Sequence, residues 1–301
     1  MAQGIKILKP MPVTDAVLES SNVPEDDAPE WDADETYGVG ANVMRAHAVY
    51  ENNEPDNAGK DPLTNHGLWT RVRATNRWRL FDGTNSSATS RANAISYVLA
   101  PGVALGMVAA LELRSCTSIR VRLIDPVRGV VYDKTLAPGA RPVRSSWWQW
   151  YFGERTPGLN LAIFEGMPAY PKAKLHVDLV GGAKLSVGLL LWGQPRTWGL
   201  GLLQGAKVGR RIYSRREVND FGDISLVKRP SAKTGSFETI IARSEVDALQ
   251  NYLDSIDASL CLFVGSTMYA STVIFGIFQN AEMVLQYHNH SVLQLEILGA
   301  T

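Results

Sequence analysis

Ser118-Ile119-Arg120-Val121-Arg122-Leu123-Ile124-Asp125 decides the fold class. Apolar residues alternate with Arg120 and Arg122, which is the period of two expected of a half-buried strand. Pro126–Gly129 reads as a turn, and Val130–Leu136 follows as a second strand. Ala104–Leu113, Leu175–Val180 and Leu185–Trp192 are further β-branched or apolar runs, and Gly181-Gly182 marks a tight hairpin between the last two. Short strands at this spacing predict an antiparallel β-sandwich over residues 85–196.

The flanks differ. Between Trp31 and Asp82 the chain is aromatic and rich in turns. Asn42–Tyr50, Leu68–Val72 and Arg77–Phe81 read as strands of a small β module spanning residues 31–84. Gln194–Trp198 looks like a connector. Beyond it, Lys207–Ser214, Ile224–Lys228, Thr239–Ala242, Leu260–Gly265, Val273–Gln279, Met283–Tyr287 and Val292–Leu298 read as strands. One helix interrupts them. Val246, Leu249, Leu253 and Ile256 recur at helical spacing, and Ser244 with Asp247 resembles a capping box. The chain is thus expected to be mainly β. It comprises a small aromatic N-terminal module, a central antiparallel sandwich, and an α+β domain over 197–301 with one helix on a sheet.

The 301 residues carry 30 basic and 30 acidic side chains, and 45% are apolar, which excludes a mainly disordered chain. Balanced charge gives no pull toward nucleic acid or acidic membranes. The charge is nevertheless segregated. From Met11 to Met44 there is no Lys or Arg but nine acids, including Glu25, Asp26, Asp27, Glu30, Asp32, Asp34 and Glu35. With Pro10, Pro12, Pro24 and Pro29, residues 1–30 read as an acidic extended arm, disordered in an isolated subunit and docked on a basic neighbour in an assembly. Cys116 and Cys261 lie in apolar runs and read as buried free thiols. No secretory pattern opens the chain, and the longest apolar stretch, Tyr97–Leu113, is broken by Pro101, Gly102 and Gly106. These features predict a soluble protein of a reducing cytoplasm, without membrane insertion.

Strong catalytic signatures are missing: no P-loop, no G-x-G-x-x-G, no H-E-x-x-H and no G-x-S-x-G. His288 and His290 could share a metal only with a third ligand that the sequence does not place. Asp220 and Asp223 flank Phe221-Gly222 and read as a turn rather than a glycosidase pair. The expectation is a protein without enzymatic activity, metal or cofactor. Trp147, Trp148, Trp150, Tyr151 and Phe152 form the densest aromatic cluster, flanked by Arg141, Arg144 and Arg155. They serve as core, as a protein interface or as a platform for sugar rings. Arg210, Arg211, Arg215 and Arg216 around Tyr213 make a basic patch suited to an acidic segment of another subunit.

Trp31, Tyr37, Gly40, Val43, Val49-Tyr50, Pro62 and Trp69 follow the order W…Y…G-x-x-V…Y…P…W, and this stretch resembles small chitin-binding-type carbohydrate modules. Thr75-Asn76-Arg77-Trp78-Arg79-Leu80-Phe81-Asp82-Gly83 resembles a segment of tailed-bacteriophage virion structural proteins. Arg215–Asp223, Leu226–Arg229 and Val273–Gly276 are similar to features of phage tail proteins. The resemblance implies a non-enzymatic tail, baseplate or fibre-attachment protein, assembled in bacterial cytoplasm from copies of itself and other tail proteins. It offers Trp31, Tyr37, Tyr50 and Trp69 as glycan-contact or interface residues. A host-glycan-binding protein and a polysaccharide-degrading tail enzyme are the rival expectations.

Overall fold

The computed structural model describes residues 4–138, 147, 151, 160–218, 223–285 and 289–300. The chain is mainly β, built of antiparallel sheets, with the helix Val246–Ser255 near the C-terminus.

The alternating strand, Arg114–Asp125, lies inside a sheet ordered Gly129–Leu136, Arg114–Asp125, Lys174–Val187, Ala94–Leu99, Leu18–Ser21. Its inward residues Ile119, Val121 and Leu123 are almost fully buried, as the alternation requires. Arg120 and Arg122 face outward and pair with Asp133 and Asp178 on neighbouring strands, at 2.5 and 2.6 Å. Facing this sheet is a second one of three strands, Leu161–Glu165, Met107–Leu111 and Leu189–Gly193. Val108, Ala110, Leu190 and Trp192 point into the sandwich core, while Met107, Ala109, Leu111, Leu189 and Leu191 point into a different core behind it. Burial on both faces explains why Leu189-Leu-Leu-Trp192 is a continuous apolar run without alternation.

That second core joins the sandwich to the C-terminal domain through Leu262, Val264, Val273 and Phe275. The domain is a sheet ordered Arg196–Trp198, Ile5–Leu8, Cys261–Val264, Val273–Val284, His290–Gly299, Ser231–Ala242, Lys207–Ile212. The sheet closes on itself. Past Trp198, Leu200 N–H donates to the Ile240 carbonyl at 3.1 Å, Leu203 N–H donates to the Glu238 carbonyl at 2.8 Å, and Leu202 bridges to Thr239. Gly199, at φ +73°, permits this closure, because a Cβ there would stand 2.3 Å from the Thr239 hydroxyl. The barrel so formed encloses Ile5, Phe237, Phe263, Ile274 and Leu295, and Leu249 and Leu253 of the helix Val246–Ser255 complete its core.

Trp31, Tyr37, Ala41, Val43, Ala48, Tyr50, Leu68 and Trp69 share a small separate core. The strands Asn42–Arg45, Ala48–Asn52 and Trp69–Ala74 make one sheet, and Thr36–Tyr37 pairs with Asn57–Ala58.

Several local expectations are corrected. The first thirty residues are not a free arm: Ile5–Leu8 is an interior strand of the barrel, and Leu18–Ser21 is an edge strand of the sandwich. Asn42–Tyr50 is two strands, since Ala46 and His47 adopt positive φ and form a two-residue hairpin turn. Arg77–Phe81 is not a strand. Arg79–Phe81 is a 3₁₀ turn that carries Leu80 inward. Gly181-Gly182 is no hairpin, because Lys174–Val187 runs through it. A Cβ on Gly181 would meet the Ser115 carbonyl oxygen at 2.1 Å, so the glycine serves close strand approach beside the irregular pairing there. Gln194–Trp198 ends in a strand rather than a connector. Val273–Gln279 and Met283 belong to one strand, Val273–Val284. Ser244 sits in a 3₁₀ turn before the helix and caps nothing; Glu245 holds the N-cap position without a side-chain hydrogen bond.

Candidate functional site

The aromatic residues of the module are its core. Tyr37 and Tyr50 are each 7% exposed and Trp69 is 2% exposed. The Tyr37 and Trp69 rings meet edge to face with centroids 5.4 Å apart. Trp69 Nε1–H donates to the Lys60 carbonyl at 2.8 Å, and the Tyr37 hydroxyl accepts the Asp32 N–H at 2.7 Å. Burial pushes the Tyr37 phenol above its ordinary pKa, and Glu35 adds to the effect. Trp31 is half-buried and lies under the Arg45 guanidinium, 5.1 Å from the ring centroid. Asp61 fixes that guanidinium at 2.8 Å, and its own carboxyl is held below the usual range by the Leu63 N–H first and by Arg45 second. A buried amide, Asn52, ties the module's loops: its Nδ2 faces the carbonyls of Tyr37, Gly38 and Glu54, and its Oδ1 accepts Asn57 Nδ2–H at 2.8 Å. Sequence reasoning passed over Asn52, since an asparagine at a strand end carries no signal of burial.

Residues 75–83 form the joint between module and sandwich. The buried Thr75 hydroxyl donates to Glu25 Oε1 at 2.8 Å, and Asn76 N–H donates to Asp27 Oδ2 at 2.6 Å. Arg77 donates to the Val23 carbonyl at 2.7 Å and pairs with Glu25 at 3.3 Å. Arg79 pairs with Asp27. Trp78 stacks on His47 with centroids 4.2 Å apart, and Phe81 stands edge-on to Tyr97. The Tyr97 hydroxyl, buried and pushed well above its usual pKa, donates to the Arg77 carbonyl at 2.7 Å. Asp82 accepts from Thr84 and Ser87 and closes the turn. The acids of the N-terminal segment thus dock on basic groups of their own chain.

The arginine patch stands apart. Lys207–Ile212 pairs with Ser231–Ala242, and Arg215–Val218 pairs with Ile224–Val227. Ser214 Oγ accepts the Arg229 N–H at 3.1 Å between the two ladders, so they run on as one two-stranded ribbon leading away from the barrel. Every described residue from Lys207 to Glu217 is exposed. Arg215 pairs with Glu217 on its own strand at 2.9 Å, and Arg211 lies 5.9 Å from the Tyr213 ring. Arg210 is the cross-strand partner of Lys233, and the two line a cleft of about 390 Å³ with Asn85, Glu112 and Asn160.

Trp147 and Tyr151 are exposed, with ring centroids 4.7 Å apart. Trp148, Trp150, Phe152, Arg141, Arg144, Arg155, Asp220, Phe221, Gly222 and His288 lie outside the described residues. Among the described residues, no three His, Cys, Asp or Glu side chains gather to hold a metal ion, and no helix is long and apolar enough to cross a membrane. Comparison with family models, curated proteins and solved structures finds no match.

Proposed function

We propose that this chain is a non-enzymatic structural component of a tailed-phage virion, a tail, baseplate or fibre-attachment protein that works by protein–protein assembly. The observation that carries the reading is the commitment of Tyr37, Tyr50 and Trp69 to the module core. A sugar-reading module presents its aromatic rings to solvent, whereas this one buries Tyr37, Tyr50 and Trp69 in packing. Such a module is a connector. The resemblance of residues 75–83 to phage structural proteins falls on that joint, where most residues of the run make a specific contact between module, N-terminal segment and sandwich.

Host-glycan binding is the second reading, and its support lies in the Trp147 cluster rather than in the N-terminal module. The exposed Trp147–Tyr151 pair offers ring faces to a saccharide. A panel of bacterial surface glycans separates the two. The structural reading expects no saturable binding. Saturable binding abolished by Trp147→Ala, with the fold retained, replaces it with the glycan reading.

A further inference from the structure

Among the described residues, Arg215–Val218 and Ile224–Val227 pair only with each other, beyond the edge of the barrel. Two-stranded ribbons are marginally stable alone in water, and need a third strand or a surface to lie on. This one also exposes apolar side chains: Ile212 at 71% and Leu226 at 74%, with Val208, Tyr213 and Val227 beside them. Arg216 and Leu226 are cross-strand partners on one face, Arg215 and Val227 on the other, so each face joins a cation to an aliphatic group. The ribbon's described residues, 207–218 and 223–229, hold seven Lys or Arg and two Asp or Glu. Exposed arginines interleaved with large apolar residues are the composition of an interface centre rather than of a solvated strand.

The same chain carries a complementary surface. The outer face of the barrel on residues 277–284, 292–298 and 234–240 contributes no side chain to the core shared with the sandwich. Cross-strand pairing sets its side chains in rows. Glu238, Gln294 and Glu282 form one row, Ser236, Glu296 and Asn280 the next. Ile240, Val292 and Val284 flank them on one side, and Thr234, Leu298 and Ile277 on the other. Val284 is 52% exposed, and Glu282 and Glu296 are exposed. Among the described residues none of the three carboxylates has a basic partner; Asn280 Nδ2–H donates to Glu282 at 2.9 Å, and Lys207 edges the wall beside Ser236. The wall is therefore acidic along its middle, with mostly aliphatic side chains along its margins.

We infer that the basic, apolar ribbon of one copy lies on the acidic, apolar barrel wall of the next, joining subunits head to tail. The two surfaces differ, so the contact is heterologous, and it closes into a ring when the rotation between copies divides a full turn. Like charges directly opposite repel, as at Arg210 and Lys233, and an acidic surface brought against the ribbon relieves that repulsion. This inference rests on the assembly reading above and adds the surfaces that carry it.

Charge reversal of exposed positions tests it without disturbing a core. Arg211→Glu with Arg216→Glu is expected to weaken self-association of the full chain on the order of 100-fold, read as a fall in mass by light scattering, with the circular-dichroism melt unchanged. Glu282→Lys with Glu296→Lys is expected to do the same. All four substitutions in one chain restore opposite charge across the contact and are expected to return the mass of the unsubstituted protein. If the unsubstituted chain associates and either pair leaves its mass unchanged, or the fourfold variant stays dissociated, the ribbon–wall contact is wrong while the assembly reading stands. If the unsubstituted chain does not associate, both fall.

Discussion

Glu25 Oε1 lies 2.8 Å from His47 Nδ1, and the same oxygen accepts the Thr75 hydroxyl. The contact joins a residue of the N-terminal segment to the turn of the module's first hairpin and to the start of the joint. The other ring nitrogen, Nε2, sits 2.7 Å from Asp15 Oδ1, and the ring face covers Trp78. The N-terminal segment therefore contributes a strand to the barrel, a strand to the sandwich, and the carboxylates that hold the module. One stretch of chain fastens the three β units together.

Asp27 is the most buried carboxylate of that fastening, with its side chain 7% exposed. Asp27→Ala strands Arg79 and the Asn76 N–H without their acceptor. The expected cost is about 3 kcal/mol, measured as a shift of the urea midpoint. A shift within about 0.5 kcal/mol, the range of a surface change, contradicts the described joint.

Module aromatics separate by depth. Trp69→Ala removes a 2%-exposed ring and its hydrogen bond to Lys60, and is expected to cost roughly 3–5 kcal/mol. Trp31→Ala loses mainly the Arg45 cation–π contact and is expected to cost about 1 kcal/mol. Thermal unfolding of the two variants side by side checks the order.

Burial pushes the thiols of Cys116 and Cys261 from 9.0 up to about 11. The neutral thiol is favoured in the folded chain, so its contribution is fully present below pH 9 and is lost as pH rises from about 9 to 11. Tyr252, raised by burial from 10.0 to about 12, extends the loss upward. Urea unfolding is expected to show stability falling over this window, with a shallower fall for the Cys116→Ala/Cys261→Ala variant. At pH 8 neither thiol should react with a thiol-specific dye until the chain unfolds.

Gly199 combines a positive φ with contact to Thr239 and Ile240 where the barrel closes. Gly199→Ala is expected to destabilise the chain by roughly 2–5 kcal/mol, through backbone strain and overpacking together. Substitution at Gly102, which also has a positive φ but open space around it, is expected to cost the strain alone. Equal melting temperatures for the two alanine variants contradict the closure.

The fold was most legible where one side of a strand meets water. Arg120-Val-Arg-Leu-Ile124 announces its orientation because alternate residues face opposite media. Leu189–Trp192 gives length but no orientation, since both faces are dry. Turn residues misled when long-range contact set the backbone. Gly181-Gly182 has hairpin chemistry, yet the Ser115 strand needs the space that a side chain would fill. The acidity of residues 11–35 was plain, but its partners were not. Arg77 and Arg79 lie about fifty residues away, and no local pattern links them to Glu25 and Asp27. The arginines of residues 210–216 stand out as a patch in the sequence, whereas the ribbon that displays them depends on pairing with later strands.

The proposed assembly rests on charge-complementary contact between copies. Light scattering of the purified full chain at low salt and at about 0.5 M salt tests it most directly, since added salt screens exposed charge pairs. The account predicts a closed oligomer at low salt whose mass falls at high salt. A monomer at both salts, at high protein concentration, contradicts it.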